Sequence, residues 1–164
     1  MFDAFAQQIL VPLALELFPA SARREDLEEN YPFVVRYKEG EDLDLAIHGD
    51  ASCVTLNLCL GKDGFSGGEL AFEEFKTGFG YANTPPEERW RFRWDVGTAV
   101  LHRGQHRHEA LPIQSGERIN LVIWLFGHGG YVRIAEYPKD EQHTPEEIWQ
   151  DVSIPHSRET KPEL

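Results

Sequence analysis

Two stretches constrain this chain more than any others. CVTLNLCL (53–60) and ERINLVIWLF (117–126) alternate with period two, so each reads as a strand with two chemically different faces. In the first, Val54, Leu56, Leu58 and Leu60 form an apolar row, and Cys53, Thr55, Asn57 and Cys59 form the opposite one. In the second, Ile119, Leu121 and Ile123 oppose Arg118 and Asn120. A sheet covered on one side only would leave the polar rows in water. Two such strands in one chain point instead to a barrel whose sparse polar rows line a ligand-binding lumen.

Further period-two segments at 33–37, 43–50, 68–74, 89–94, 97–102 and 131–137 bring the predicted strands to eight. Turn clusters such as KEGED, GKDGFSGG, TPPEE and GHGG separate them. Before them, Phe2, Phe5, Ile9, Leu10, Leu13 and Phe18 recur at helical spacing. They predict a helix over 2–18 that Pro12 kinks or restarts, followed by a charged turn at 23–29. A helix and about eight short strands make a mainly β sandwich or jelly roll with helical support. The domain is expected to span 1–137, and 138–164 to be a polar segment with a short helix from Pro145 and a mobile end.

At 164 residues and 41% apolar content the chain suits one compact core. A net charge of −12 opposes tracking along a nucleic-acid backbone, which needs clustered Lys and Arg. The apolar run ILVPLALELF (9–18) is too short for a membrane span and lacks the basic flank of a signal peptide. Cys53 and Cys59, six steps apart on one strand, would lie roughly 20 Å from each other, so no internal disulfide is expected. An intracellular, soluble protein is the expectation.

His48 and Asp50 stand at i and i+2 of an extended segment, and so on one side of it. An imidazole and a carboxylate so placed can occupy adjacent positions on an octahedral metal. A second histidine would complete a facial triad of two His and one carboxylate, leaving three positions open. The segment VLHRGQHRHEALPIQSGERINLVIW offers His102, His106 and His108 for that place.

FVVRYKEGEDLDLAIHGDASCVTLNLCLG followed by VLHRGQHRHEALPIQSGERINLVIWL resembles the iron- and 2-oxoglutarate-dependent dioxygenases of the prolyl and lysyl hydroxylase type. The likeness runs from about residue 10 to about residue 126. It implies a double-stranded β-helix, with N-terminal supporting helices, that binds Fe(II) through His48, Asp50 and the His of HEALP, His108. It also implies that Arg118, ten residues further on, grips the distal carboxylate of 2-oxoglutarate, and that Tyr37 and Asn57 contact the same cosubstrate. The implied activity couples oxidative decarboxylation of 2-oxoglutarate to hydroxylation of an unidentified substrate, a protein side chain among the options. Dioxygen is the second cosubstrate and ascorbate a candidate reductant. Arg118 suits its part, because a planar guanidinium offers paired donors to a carboxylate that Lys would not. Asp50 argues against halogenation, for which the carboxylate is replaced.

Two other classes compete. One is a non-catalytic jelly roll that keeps the metal site for binding; the other is a cupin-like metal enzyme using His106 and His108. Otherwise His102 and His106 read as groups beside the ligands or on the surface, and His128, His143 and His156 as exposed. In ERWRFRWD, Trp90, Phe92 and Trp94 are expected to pack on the sheet while Arg89, Arg91 and Arg93 face water; the alternative is an entrance strand. Gly64, Gly67 and Gly68 read as a hairpin turn, because strand rather than helix follows them.

Overall fold

The computed structural model describes residues 2–19, 21–74 and 84–133. Ten strands follow a helical N-terminus: β1 Glu29–Lys38, β2 Leu45–His48, β3 Val54–Gly61, β4 Ser66–Gly67, β5 Leu70–Phe72, β6 Trp90–Phe92, β7 Ala99–Arg103, β8 His108–Ala110, β9 Ile113–Ser115 and β10 Glu117–Phe126. They form two four-stranded antiparallel sheets, ordered β1-β10-β3-β7 and β2-β8-β5-β6, with β4 and β9 as a separate pair. The fold is the mainly β jelly roll expected, with its helical support.

The two rows of β3 and β10 divide as the alternation predicts. Val54, Leu56, Ile123 and Leu125 pack on the helical layer, against Ala6, Leu10, Val11 and Ala14. The opposite face looks at the second sheet, where Cys59 and Trp94 pack with Leu70, Phe72 and Phe92. Register sets one row of this inner face across all four strands: Tyr31, Trp124, Thr55 and His102. Six residues further along β1, Tyr37 stands opposite Arg118.

Several expectations need correction. Cys53 precedes β3 and belongs to the helix-side core, its Sγ accepting from the Arg133 backbone N–H at 3.1 Å. The inner row therefore begins at Thr55. β1 runs from Glu29, where a charged turn was expected over the first of its residues. Strands β8 and β9 were not foreseen, because three-residue strands around Pro112 leave no periodic signal. The strand expected over 131–137 begins as one bridge between Gly127 and Tyr131 and is irregular to Arg133; its remainder, like the segment from 138, lies outside the described residues.

The helix restarts at Val11–Leu17 with Pro12 in its first turn, one of the two outcomes expected. A π-turn at Ala6–Leu10 joins Phe2–Phe5 to Val11–Leu17, and the Val11 N–H reaches back five residues to the Ala6 carbonyl. Its buried face is Ala6, Leu10, Val11 and Ala14, while Phe2, Phe5, Ile9 and Leu13 stay exposed, so of the six predicted face residues only Leu10 is fully buried. Small residues let the helix axis approach the sheet, and the larger side chains have no room beneath it.

Candidate metal and carboxylate site

Strand β2 ends at His48, and Asp50 lies two residues beyond it, outside the strand. The Asp50 N–H donates to the Gly104 carbonyl at 2.7 Å, and the Gly104 N–H donates to that of Cys53 at 3.1 Å. Gly104 must be glycine here, because a Cβ would collide with Ser52. This crossing of two loops carries the Asp50 carboxylate back to His48. Strand pairing supplies the other imidazole, since His48 on β2 lies directly opposite His108 on β8.

The three side chains converge on one point. The Nε2 atoms of His48 and His108 stand 3.5 and 3.6 Å from Asp50 Oδ1. Each ring's Nδ1 donates to a main-chain carbonyl at 2.7 Å, that of Ala46 for His48 and that of His106 for His108. A carbonyl only accepts, so in the neutral rings Nδ1 carries the hydrogen and both Nε2 lone pairs face the carboxylate. The second oxygen, Oδ2, accepts from Thr55 Oγ1 at 2.6 Å, and Thr55 in turn is within 2.7 Å of Ser52 Oγ.

Electrostatics keep this set ready for a cation. Burial would raise the Asp50 pKa, but His48, which donates to it when protonated, the neighbouring His108 and His102, and the Thr55 hydroxyl together hold it down at about 2. His108 is pushed down to about 3, mainly by burial. Asp50 and its hydrogen bond raise His48. An ionised carboxylate thus faces a neutral, buried imidazole. The three ligand-type atoms lie within 4.8 Å of one another and could hold a metal ion.

Deeper in the lumen Arg118 is 2% exposed. Its Nη1 donates to the Gly68 carbonyl, its Nε is buried without a partner, and no acidic group forms an ion pair with it among the described residues. Burial pushes the guanidinium pKa down to about 10. The ring centroids of Tyr37 and Trp94 stand 4.8 and 5.3 Å from its Cζ. Beside it, Asn120 Nδ2 donates to Asn57 Oδ1 at 2.6 Å, leaving Asn120 Oδ1 buried and unpaired. A buried cation without a counter-charge is destabilising by several kcal/mol unless an anion joins it. The donor sets therefore fit both groups: two imidazoles and a carboxylate suit Fe(II), and the lone guanidinium suits a carboxylate.

Other predicted residues fall elsewhere. The ring Nε2 of His106 donates to the Glu73 carbonyl at 2.9 Å, away from the cluster. The side chain of His128 is 89% exposed and lies 3.1 Å from Glu29; His143 and His156 lie outside the described residues. In β6 and just after it, the aromatics pack inward as expected. Arg89, however, is drawn from water into ion pairs with Glu109 at 2.6 Å and Glu73 at 3.6 Å. Four further site neighbours escaped sequence reasoning: Phe72, whose ring lies 5.6 Å from that of His108, Trp94, and the edge-to-face pair Phe33 and Trp124, 5.1 Å apart. Only strand register reveals them, because each comes from a different strand or loop.

No protein-family model matches the chain. It is 42% identical over 121 residues to 2-oxoglutarate and iron-dependent oxygenase domain-containing protein 2 of Xenopus tropicalis, across 73% of this chain and 32% of that protein. It is 31% identical over 125 residues to procollagen-lysine,2-oxoglutarate 5-dioxygenase 1 of Mus musculus, across 74% of this chain and 15% of that one. The chain thus spans about a third of the length of the first of these relatives and less of the second. In fold it is similar to a Pseudomonas putida prolyl-4-hydroxylase, with a TM-score of 0.55 and 20% identity over 77% of this chain and 65% of that one. By sequence and by fold, the chain belongs among the iron- and 2-oxoglutarate-dependent oxygenases of the prolyl and lysyl hydroxylase type.

Proposed function

We propose that the protein is a dioxygenase that couples the oxidative decarboxylation of 2-oxoglutarate to hydroxylation of a protein side chain. The observation that carries this is the pairing, in one lumen, of the His48, Asp50 and His108 cluster with the Arg118 guanidinium, which has no ion-pair partner among the described residues. A metal-binding module alone would have no use for a buried, uncompensated cation. Fe(II), when bound, supplies the site at which dioxygen is activated as 2-oxoglutarate is converted to succinate and carbon dioxide. His48, Asp50 and His108 would hold it, with three positions left open. Ascorbate would serve only to keep the metal reduced.

The chain's own part is to bind and orient. Arg118 would receive the distal carboxylate of 2-oxoglutarate, with Tyr37 and Asn57 completing its hydrogen bonds. Burial among Tyr37, Trp94 and Cys59 excludes water and strengthens that charge pair. The primary substrate would approach along Tyr31, Phe33 and Trp124, an aromatic wall of which Tyr31 and Trp124 share the row of Thr55. A protein substrate is supported by the name of the lysyl relative.

Anaerobic titration of the Fe(II)-loaded protein with 2-oxoglutarate tests the proposal. A weak visible charge-transfer band should saturate in the wild type. It should vanish in His108→Ala through loss of metal, and in Arg118→Ala with metal retained. A band that survives Arg118→Ala would favour the cupin-like alternative, and no band in the metal-loaded wild type would favour a binding module.

A further inference from the structure

His102 has no part in that assignment, yet it is buried in the lumen, at 5% exposure. It stands on β7 directly across from Thr55. Its ring lies 4.6 Å from that of His108 and meets the edge of Phe72 at 5.3 Å. Nδ1 donates to the Arg103 carbonyl at 3.0 Å, which leaves Nε2 as a lone pair. That lone pair is buried, has no hydrogen-bond partner, and points at Asp50 Oδ2 from 3.9 Å.

Nε2 of His102 addresses a different atom from those of His48 and His108. The latter two face Oδ1, whereas His102 faces Oδ2, the oxygen that Thr55 already holds. Two acceptors at 3.9 Å repel each other directly. One water that donates a hydrogen to each would span them, since two bonds of about 2.8 Å then meet at roughly 90°. Such a water would find two polar partners beside a buried imidazole, as a buried water requires.

We infer that His102 is a positioning residue that holds an ordered water against Asp50 Oδ2, so that Asp50 binds metal through Oδ1 alone. The inference rests on the metal site proposed above. Thr55 and the water would together occupy Oδ2 and keep it from swinging onto the metal. Without His102 the carboxylate is free to bind through both oxygens and fill a position that 2-oxoglutarate or dioxygen needs.

The test loads the protein with Mn(II), without cosubstrate, and counts exchangeable metal-bound waters by water-proton relaxation. The wild type should show three, the His102→Phe variant two with Mn(II) still bound, and His102→Gln, whose side-chain oxygen can accept from the water, should return to three. Tighter Mn(II) binding and at least tenfold weaker 2-oxoglutarate binding should accompany the loss in His102→Phe. A count of two in the wild type would make His102 a ligand and overturn the inference without touching the metal site. Three waters in both wild type and His102→Phe would overturn it as well. If His102→Phe does not fold, His102→Leu and the wild-type count still decide. Failure of the wild type to bind Mn(II) would instead remove the metal site itself, and the inference with it.

Discussion

Thr55 donates to Asp50 Oδ2 at 2.6 Å while His48 and His108 both address Oδ1, so the two oxygens of one carboxylate have separate partners. Ser52 extends the chain behind Thr55, its hydroxyl 2.7 Å from Thr55 Oγ1. The carboxylate accepts from Thr55, so the hydrogen between the two hydroxyls must come from Ser52. Removing such a partner of a metal-binding carboxylate typically lowers metal affinity ~10–100-fold. Thr55→Val keeps the shape of the side chain and deletes the donor, so Fe(II) or Mn(II) binding should weaken by that factor. Thr55→Ser should retain most of it. Metal titration of the three proteins checks this.

Arg118 places function and stability in opposition. Buried without a counter-charge, it should destabilise the ligand-free fold, and an apolar side chain of similar length should be better tolerated. Arg118→Met is expected to stabilise the ligand-free protein by ~1 kcal/mol or more. The same change should raise the 2-oxoglutarate dissociation constant at least ~100-fold, since a desolvated charge pair is lost. Thermal melts with and without 2-oxoglutarate read both effects. The wild type should gain melting temperature with the ligand, and Arg118→Met should start higher and gain nothing.

Acid should unfold the metal-free protein early. His106 is pushed down to about 3 by burial, and burial lowers His102 as well. Unfolded, each titrates near ~6.5, so between that value and the folded one the unfolded chain binds more protons. Stability is therefore fully present above ~6.5 and is lost as pH falls towards 3. Asp50 adds a second loss lower down, between its ordinary value of 3.8 and about 2. Denaturant unfolding at pH 7 and pH 5 should show a marked drop. His106→Gln, which keeps a donor for the Glu73 carbonyl, should flatten it.

How much of this was legible in the sequence depends on the range of the interaction. The alternation in β3 and β10 disclosed both faces of the large sheet, because period two is a property of one strand. Arg118, Asn120, Thr55 and Asn57 were therefore assigned to the inner face before any pairing was known. The spacing of His48 and Asp50 was visible, but the loop crossing at Gly104 that holds Asp50 beside His48 was not, because it joins two distant segments. His102, Trp94, Phe33 and Trp124 took their meaning only from register, which no single segment encodes. Cys53 misled because the alternation continues one residue past the strand that produces it.

The helix shows the same limit from another side. Its apolar residues run all round it, so spacing alone could not say which face was buried, and the large residues were taken for it. Burial instead selects Ala6 and Ala14, both 0% exposed, while Leu13 is 47% exposed. Ala14→Leu should therefore overpack the interface with β3 and β10 and destabilise the fold by ~1–3 kcal/mol. Leu13→Ala should change stability by no more than ~0.5 kcal/mol. Urea denaturation of the two variants distinguishes this geometry from the face that size alone would choose.

Trp94 gives the lumen an optical probe. Its ring lies 5.3 Å from the Arg118 guanidinium and packs on Phe92, whereas Trp124 stands in the row of Thr55 at the metal end. A carboxylate arriving at Arg118 changes the charge beside the Trp94 indole but not beside Trp124. A paramagnetic metal, by contrast, should quench Trp124 more strongly. The emission change on adding 2-oxoglutarate to protein loaded with a diamagnetic metal should therefore disappear in Trp94→Phe and persist in Trp124→Phe. Quenching by Mn(II) should follow the reverse pattern. If both responses reside in Trp94, the carboxylate and the metal share one end of the lumen, and the separation of Arg118 from Asp50 along the strands does not order the site.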